Sequence, residues 1–186
     1  AEMASAVPAQ PTFFLKSNAS LCDFVGPLRP PRDKGAVHHE LELGLVIGRR
    51  MAGARAAASI AGLVLAIDLT LRDEQNRLKQ AGHPWEASKA FAGSCPASPL
   101  LPPEAVADPQ AAELEFTVNG ERRQFGSTAD MVFPIERLLA EAAEIFVLEP
   151  GDVLLTGTPV GVGPLEPGDR YTGRINEYCL EGEVAP

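Results

Sequence analysis

Between Val37 and Ile47 the chain alternates: Val37, Leu41, Leu43, Leu45 and Ile47 fall on one face, and His38, Glu40, Glu42, Gly44 and Val46 on the other. A period of two predicts a half-buried strand. A continuous apolar run ending at Ile67 predicts a second strand over Leu63 to Ile67, and the aromatic-rich Thr12 to Lys16 a short third one. Glu113 to Val118 and Glu121 to Phe125 flank Asn119-Gly120, the signature of a hairpin with a type I′ turn. Apolar residues at Ile135, Leu138, Leu139, Ala142, Ile145 and Phe146 follow a helical period. Thr70-Leu-Arg-Asp73 resembles a capping box, predicting a helix from about Thr70 to Gln80. The Ala-rich Ala52 to Ile60 predicts a third, shorter helix. Pro27, Pro30 and Pro31 mark a loop, and Ala81 to Pro109, with scattered prolines and little periodicity, reads as a long loop of the kind that often carries function. Glu-Pro-Gly-Asp occurs at 149–152 and 166–169, suits a type II turn, and leads each time into a strand-like run. Many short strands with three helices predict an α+β fold, mainly β. A chain of 186 residues can bury one core and is short for two, so residues 1–186 are expected to form one domain.

Composition narrows the function more than the fold. A net charge of -9 leaves nothing to neutralise a run of phosphates and argues against nucleic acid. An acidic protein handling an anionic substrate needs a local positive centre. Cys22, Cys95 and Cys179 form no C-x-x-C pair and leave an odd count, which points to reduced thiols and a cytoplasmic protein. No apolar run is long enough to span a bilayer.

The chemistry gathers on acidic residues. Glu40 and Glu42, two apart on a strand, project from one face. Such a pair could simply be solvated, but Gly44 and Val46 continue the face without charge. Asp68 closes the apolar run that ends at Ile67. By itself it could be a carboxylate emerging at a strand end. Together the three offer the hard oxygen set that Mg²⁺ or Mn²⁺ prefers. Zinc is disfavoured, because no Cys lies in ligand spacing and His38 and His39 point to opposite faces. Arg72 and Gln75 share a face of the predicted helix near Asp68, though a solvated helix surface would look the same. Lys89 lies in the Pro-rich loop, where a lysine usually faces solvent. Gly157-Thr-Pro-Val-Gly-Val-Gly163 lacks the ending of a phosphate loop and reads as a turn that lets backbone approach something closely.

Taken in order, His39-Glu-Leu-Glu-Leu43, Ile67-Asp68 through Gln75, Lys89-Ala-Phe91, Val118-Asn-Gly-Glu-Arg-Arg-Gln124 and Gly151-Asp-Val-Leu-Leu-Thr-Gly-Thr-Pro159 with Gly161-Val-Gly-Pro164 resemble the fumarylacetoacetate hydrolase family across nearly the whole chain. Ser94-Cys95-Pro96 and the stretch around His83-Pro84-Trp85 place the likeness in its acylpyruvase and oxaloacetate decarboxylase branch. The resemblance implies a mixed β-roll, usually dimeric, with Mg²⁺ or Mn²⁺ on Glu40, Glu42 and Asp68. It assigns Arg72, Gln75, Lys89 and Thr158 to the carboxylate and oxo groups of a small 2-oxo acid, with Lys16 near the pocket and Lys89 also catalytic. It places Glu2 on the glutamate of a catalytic His-x-x-Glu pair whose His would precede the first residue given, so the N-terminal segment is expected to be missing.

The function expected on these grounds is metal-dependent hydrolysis of a carbon–carbon bond in acylpyruvates or fumarylpyruvate. The alternatives are decarboxylation or tautomerisation of oxaloacetate or a related 2-oxo dicarboxylic acid, and non-catalytic binding of a metal and a 2-oxo acid.

Overall fold

The computed structural model describes residues 9–53 and 59–186. Glu2 and most of the helix expected at 52–60 lie outside the described residues. The elements run β1 (Leu21–Asp23), β2 (Pro27–Leu28), β3 (Val37–His39), β4 (Leu41–Ile47), β5 (Ile60–Ile67), β6 (Thr70–Leu71), α1 (Arg72–Ala81), α2 (Glu86–Lys89), β7 (Cys95–Ala97), β8 (Glu113–Val118), β9 (Glu121–Ser127), α3 (Ile135–Ile145), β10 (Val153–Leu155), β11 (Gly163–Pro164), β12 (Arg170–Ile175) and β13 (Tyr178–Val184). The fold is α+β and mainly β, as expected.

Three open sheets carry the strands, in the orders β1-β7-β5-β4-β10, β11-β3-β6 and β2-β13-β12-β8-β9. Two pairs, β1 with β7 and β2 with β13, are parallel, and the others are antiparallel. The expected strand 37–47 divides at Glu40 into β3 and β4, which join different sheets. It is also buried on both faces rather than one, with only His38 and Val46 partly exposed. The reason is its place: β4 lies between β5 and β10, with β8 packed near it. Gly44 is part of this tight packing, since a Cβ there would meet a Val64 methyl at 2.6 Å.

Local rules account for several elements. Asn119 and Gly120 both have positive φ, 53° and 80°, as a type I′ turn requires. In the two Glu-Pro-Gly-Asp turns, Asp152 and Asp169 each donate a backbone N–H to the carbonyl three residues back at 3.0 Å. Their carboxylates accept the N–H of Glu149 and Glu166 in return, both at 2.8 Å.

Three expectations need correction. Residues 12–16 are extended but form no strand; Phe13 packs edge-on to Phe146 and Phe14 lies against Trp85, so the segment crosses the protein through its side chains. Thr70 does not cap α1. The N-cap is Leu71, and the Thr70 hydroxyl donates to the Asp68 carbonyl at 3.1 Å. The stretch 81–109 is not all loop, because it supplies α2 and β7.

The core joins the sheets through aromatic rings. Tyr171 stacks on Phe116 and meets Phe24 edge-on, and its buried hydroxyl donates to the Phe24 carbonyl at 2.6 Å. Tyr171→Phe leaves that carbonyl buried without its partner and is expected to destabilise the protein by about 1–3 kcal/mol. Chemical denaturation checks it, and an unchanged unfolding midpoint would refute it. Among the described residues no helix is long and apolar enough to cross a membrane.

Candidate active site

Sheet register brings the three carboxylates together. Leu41 pairs with Ile67 and Glu42 with Ala66, so Glu40 falls opposite Asp68, and the Asp68 N–H donates to the Glu40 carbonyl at 2.8 Å. Cross-strand partners share a face, and so do residues two apart on one strand. All three side chains therefore converge, with one oxygen of each within 4.8 Å of the others.

Cations surround the trio unevenly. The Lys89 ammonium, 2 % exposed, donates to Glu40 Oε2 at 2.8 Å, Asp68 Oδ2 at 2.5 Å and Thr70 Oγ1 at 2.7 Å. Arg72, the first residue of α1, spreads its guanidinium over three acceptors: Glu40 Oε1 at 2.5 Å, Gln75 Oε1 at 2.6 Å and His38 Nδ1 at 3.3 Å. Lys16 reaches in from the crossing segment, donating to Ser94 Oγ at 3.1 Å and to the Lys89 carbonyl. Its ammonium lies 2.7 Å from Asp68 Oδ1, at ion-pair distance, although that oxygen has no hydrogen bond of good geometry. Glu42 differs. Among the described residues no ion pair reaches it, and its partner is the Gly157 N–H at 2.6 Å.

These surroundings set the protonation. Burial opposes ionisation of Glu40, but Lys89 and Arg72 outweigh it and hold the carboxyl below its usual range. Burial also opposes the charge on Lys89, and Asp68 and Glu40 overcome it, so the ammonium keeps its proton more firmly than usual. For Glu42, burial and then the charges of Asp68 and Glu40 push the carboxyl up to about 8. Burial and like charge thus favour the protonated form of Glu42, and a bound dication would displace that proton. An all-oxygen donor set, a carboxyl short of positive charge and a buried Asp68 oxygen lacking a hydrogen bond together fit Mg²⁺ or Mn²⁺.

Of the residues singled out in the sequence, Glu40, Glu42, Asp68, Arg72, Gln75, Lys89 and Lys16 meet in one place. Thr158 lies one step away. Its hydroxyl donates to the Leu41 carbonyl at 2.9 Å and accepts from Gln124 at 2.7 Å, so its one proton is already engaged. A cleft reaches Glu42, Lys16 and Gly157, with Leu138, Ala142 and Phe146 forming an apolar wall. Sequence reasoning missed Thr70, Ser94, the Gly157 N–H and Gln124. Thr70 and Ser94 adjoin residues already singled out, Gly157 opens the turn expected to let backbone approach closely, and Gln124 ends a motif of the family resemblance, but none had been given a role in the site.

Comparison with known proteins identifies the family. The family model described as "Fumarylacetoacetate (FAA) hydrolase C-terminal" matches residues 1–184. The chain belongs to the fumarylacetoacetate hydrolase family. It is 48% identical to the oxaloacetate tautomerase YcgM of Escherichia coli (strain K12), covering 98% of this chain and 85% of the relative. It is 39% identical to the mitochondrial oxaloacetate decarboxylase of Dictyostelium discoideum, over 90% of this chain and 78% of that one. Among solved structures, a family member from Yersinia pestis CO92 superposes with a TM-score of 0.94 at 44% identity, covering 98% of this chain and 86% of the other. The fumarylpyruvate hydrolase of Pseudomonas aeruginosa, in complex with Mn²⁺ and pyruvate, gives 0.86 at 33% identity, covering 94% and 78%.

These relatives overturn the expectation of acylpyruvate hydrolysis. The two curated relatives, at 48% and 39% identity, are named for oxaloacetate chemistry, while the fumarylpyruvate hydrolase is more distant at 33%. The physical reason lies in the motifs used. A carboxylate trio with flanking Lys and Arg serves any reaction that passes through an enolate of a 2-oxo acid, so it does not separate hydrolysis from isomerisation. The relatives are named as enzymes, which also weighs against a non-catalytic binder.

Proposed function

We propose that this protein is a divalent-metal-dependent tautomerase that interconverts the keto and enol forms of oxaloacetate. The observation that carries the reading is the buried trio of Glu40, Glu42 and Asp68 with the Lys89 ammonium against two of its members, in a family whose relatives bear that name.

Tautomerisation moves one proton from C3 of the substrate to the oxygen on C2, through an enolate. Glu40, Glu42 and Asp68 would hold a dication, which when bound would supply a Lewis acid for the 2-oxo group. Lys89, held protonated in a dry site, supplies a positive charge there, and its N–H now given to Thr70 is proposed to turn to the enolate oxygen as it develops. Arg72 offers a planar fork for a substrate carboxylate, and Gln75 and Glu40 hold that fork in place. Glu2 is proposed to handle the proton at C3. Lys16 and Thr158 complete the assigned substrate contacts, with Mg²⁺ or Mn²⁺ as the cation and a homodimer in a reducing, cytoplasmic setting as the working assembly. The exposed apolar side chains Leu15, Leu21, Ile145 and Val147 and three free thiols support those last two points.

Decarboxylation is the second reading, favoured by the name of the Dictyostelium relative. A related enolate, that of pyruvate, forms when the C3–C4 bond breaks and CO₂ leaves, and C3 then takes up a proton. Two assays on chelator-dialysed protein, with and without Mn²⁺, separate the readings. The expected result is metal-dependent loss of the enol absorbance of oxaloacetate, faster than pyruvate appears. Metal-replete protein that accelerates neither process would overturn both readings.

Arg72→Lys tests the fork. A lysine keeps the charge but cannot span His38, Gln75 and Glu40 at once. The expected effect is a KM raised about tenfold with a smaller change in kcat, corresponding to roughly 1.4 kcal/mol of lost binding. Steady-state kinetics check it, and an unchanged KM would count against the assignment.

A further inference from the structure

The geometry points to Gln124 as a positioning residue for the proposed site: its amide fixes the Gly157–Pro159 loop and the metal-binding strand in one register. The inference rests on the reading of the site as a metal and 2-oxo-acid centre.

Gln124 comes from a different sheet than Glu42. Val118 pairs with Glu121 and Thr117 with Arg122, but Phe116 pairs with Gln124, leaving Arg123 as an extra residue in β9. Such a bulge re-aims the next side chain, and Gln124 turns inward, fully buried, in a strand whose preceding three residues are exposed. Its amide then uses every hydrogen-bonding position it has. Oε1 accepts from the Leu41 N–H at 3.0 Å and contacts His39 Nδ1 at 2.8 Å, while Nε2 donates to Thr158 Oγ1 at 2.7 Å and to the Pro159 carbonyl at 2.9 Å.

No other orientation works. Turning the amide over would set its NH₂ against the Leu41 N–H and its oxygen against the Pro159 carbonyl. With Oε1 facing His39, the proton of that contact must sit on His39 Nδ1, which leaves Nε2 as a bare acceptor. That atom is indeed buried without a partner.

The four bonds tie together the parts that must keep their spacing. Leu41 lies between Glu40 and Glu42, and its carbonyl receives the Thr158 hydroxyl. The Thr158 loop also presents the Gly157 N–H to Glu42. Close packing seats that loop on β9: a Cβ at Gly161 would collide with the Arg123 carbonyl, and one at Gly126 would meet Pro159 Cβ at 2.7 Å. An unpartnered buried amide would be costly, so the clamp is set only when all four partners are in place.

Gln124→Glu keeps the volume and the acceptor facing Leu41 and His39, but turns an acceptor toward Pro159. Gln124→Leu removes all four bonds, and Val184→Ala, a buried change in the same sheet where β13 pairs with β2, controls for general loosening. Outer-shell partners of a metal site commonly matter about 10–100-fold in metal affinity or activity. The expected result is that full-length Gln124→Glu binds Mn²⁺ about tenfold more weakly by calorimetry and shows a lower kcat, while Val184→Ala matches the parent in Mn²⁺ affinity. If Gln124→Leu does not fold, the isosteric Gln124→Glu decides. Parent-like Mn²⁺ affinity and kcat in folded Gln124→Glu, or an equal loss in Val184→Ala, would overturn the inference. Failure of the parent itself to act on oxaloacetate would instead refute the proposed reaction, since Mn²⁺ affinity is read independently of turnover.

Discussion

Asp68→Asn is expected to abolish metal activation, with Mn²⁺ affinity falling by at least the ~100-fold at the upper end for outer-shell changes. Asp68 is the most buried of the three carboxylates, 1 % exposed, and both of its oxygens meet ammonium groups, Lys16 on one and Lys89 on the other. Asparagine preserves the shape but removes the charge. It also turns an NH₂ toward one lysine, where two donors would face each other. Lys89 is then left to share Glu40 with Arg72 while Lys16 loses its carboxylate partner, and breaking such a buried pair costs about 3–5 kcal/mol. The variant should therefore unfold at lower denaturant concentration than the parent and gain little from added Mn²⁺. The parent should gain about 2.7 kcal/mol when Mn²⁺ is present at a hundred times its Kd. Calorimetric titration together with denaturation in the presence and absence of Mn²⁺ reads both effects. A variant that titrates with Mn²⁺ as the parent does would remove Asp68 from the ligand set.

The carboxylate trio was legible because two simple periodicities wrote it. Alternation put Glu40 and Glu42 on one face, and the apolar run ending at Ile67 put Asp68 at a strand end. What alternation could not reveal was that these strands are neighbours with Leu41 opposite Ile67, since register is set by the whole sheet. Lys89 was flagged by motif alone. Its helix is a single four-residue turn in a proline-rich stretch, too short to carry a period. Thr70 was misread because hydroxyl, Leu, Arg and Asp in that order match a capping box, whereas tertiary structure spends the hydroxyl on the Asp68 carbonyl and Lys89. Gln124 stood in a motif of the family resemblance, but its role in the site was not read, for a related reason. A polar residue in a hairpin looks solvated, and only the bulge at Arg123 turns it inward. Residues 12–16 show the converse: their aromatic content suits a strand, but Phe13 and Phe14 stack on other rings instead of pairing backbone. Substrate choice was the least legible feature, because the enolate-stabilising residues are shared by hydrolases and isomerases.

Lys89→Met should separate binding from turnover, with the two readouts moving in opposite directions. The ammonium sits against Glu40 and Asp68, the same carboxylates assigned to the dication, and so competes for them with its own positive charge. Methionine matches the length of the stem, packs in the same buried space and removes that competitor. Without metal, Glu40 keeps only Arg72 and Asp68 only Lys16, so the metal-free variant is expected to lose stability. Added Mn²⁺ should restore more of it than in the parent, and Mn²⁺ affinity should be undiminished or higher. Turnover should fall nevertheless, by about 10²–10³, the usual effect of removing one donor from a developing oxyanion. The pairing of results is the test. A purely structural lysine would lower metal affinity and activity together, and restoring the fold with Mn²⁺ would restore the rate. A Lys89→Met protein saturated with Mn²⁺ and turning over oxaloacetate at the parent rate would show that the ammonium only fills space between carboxylates. Weak metal binding with a normal rate at saturation would show that it orders the ligands without touching the substrate.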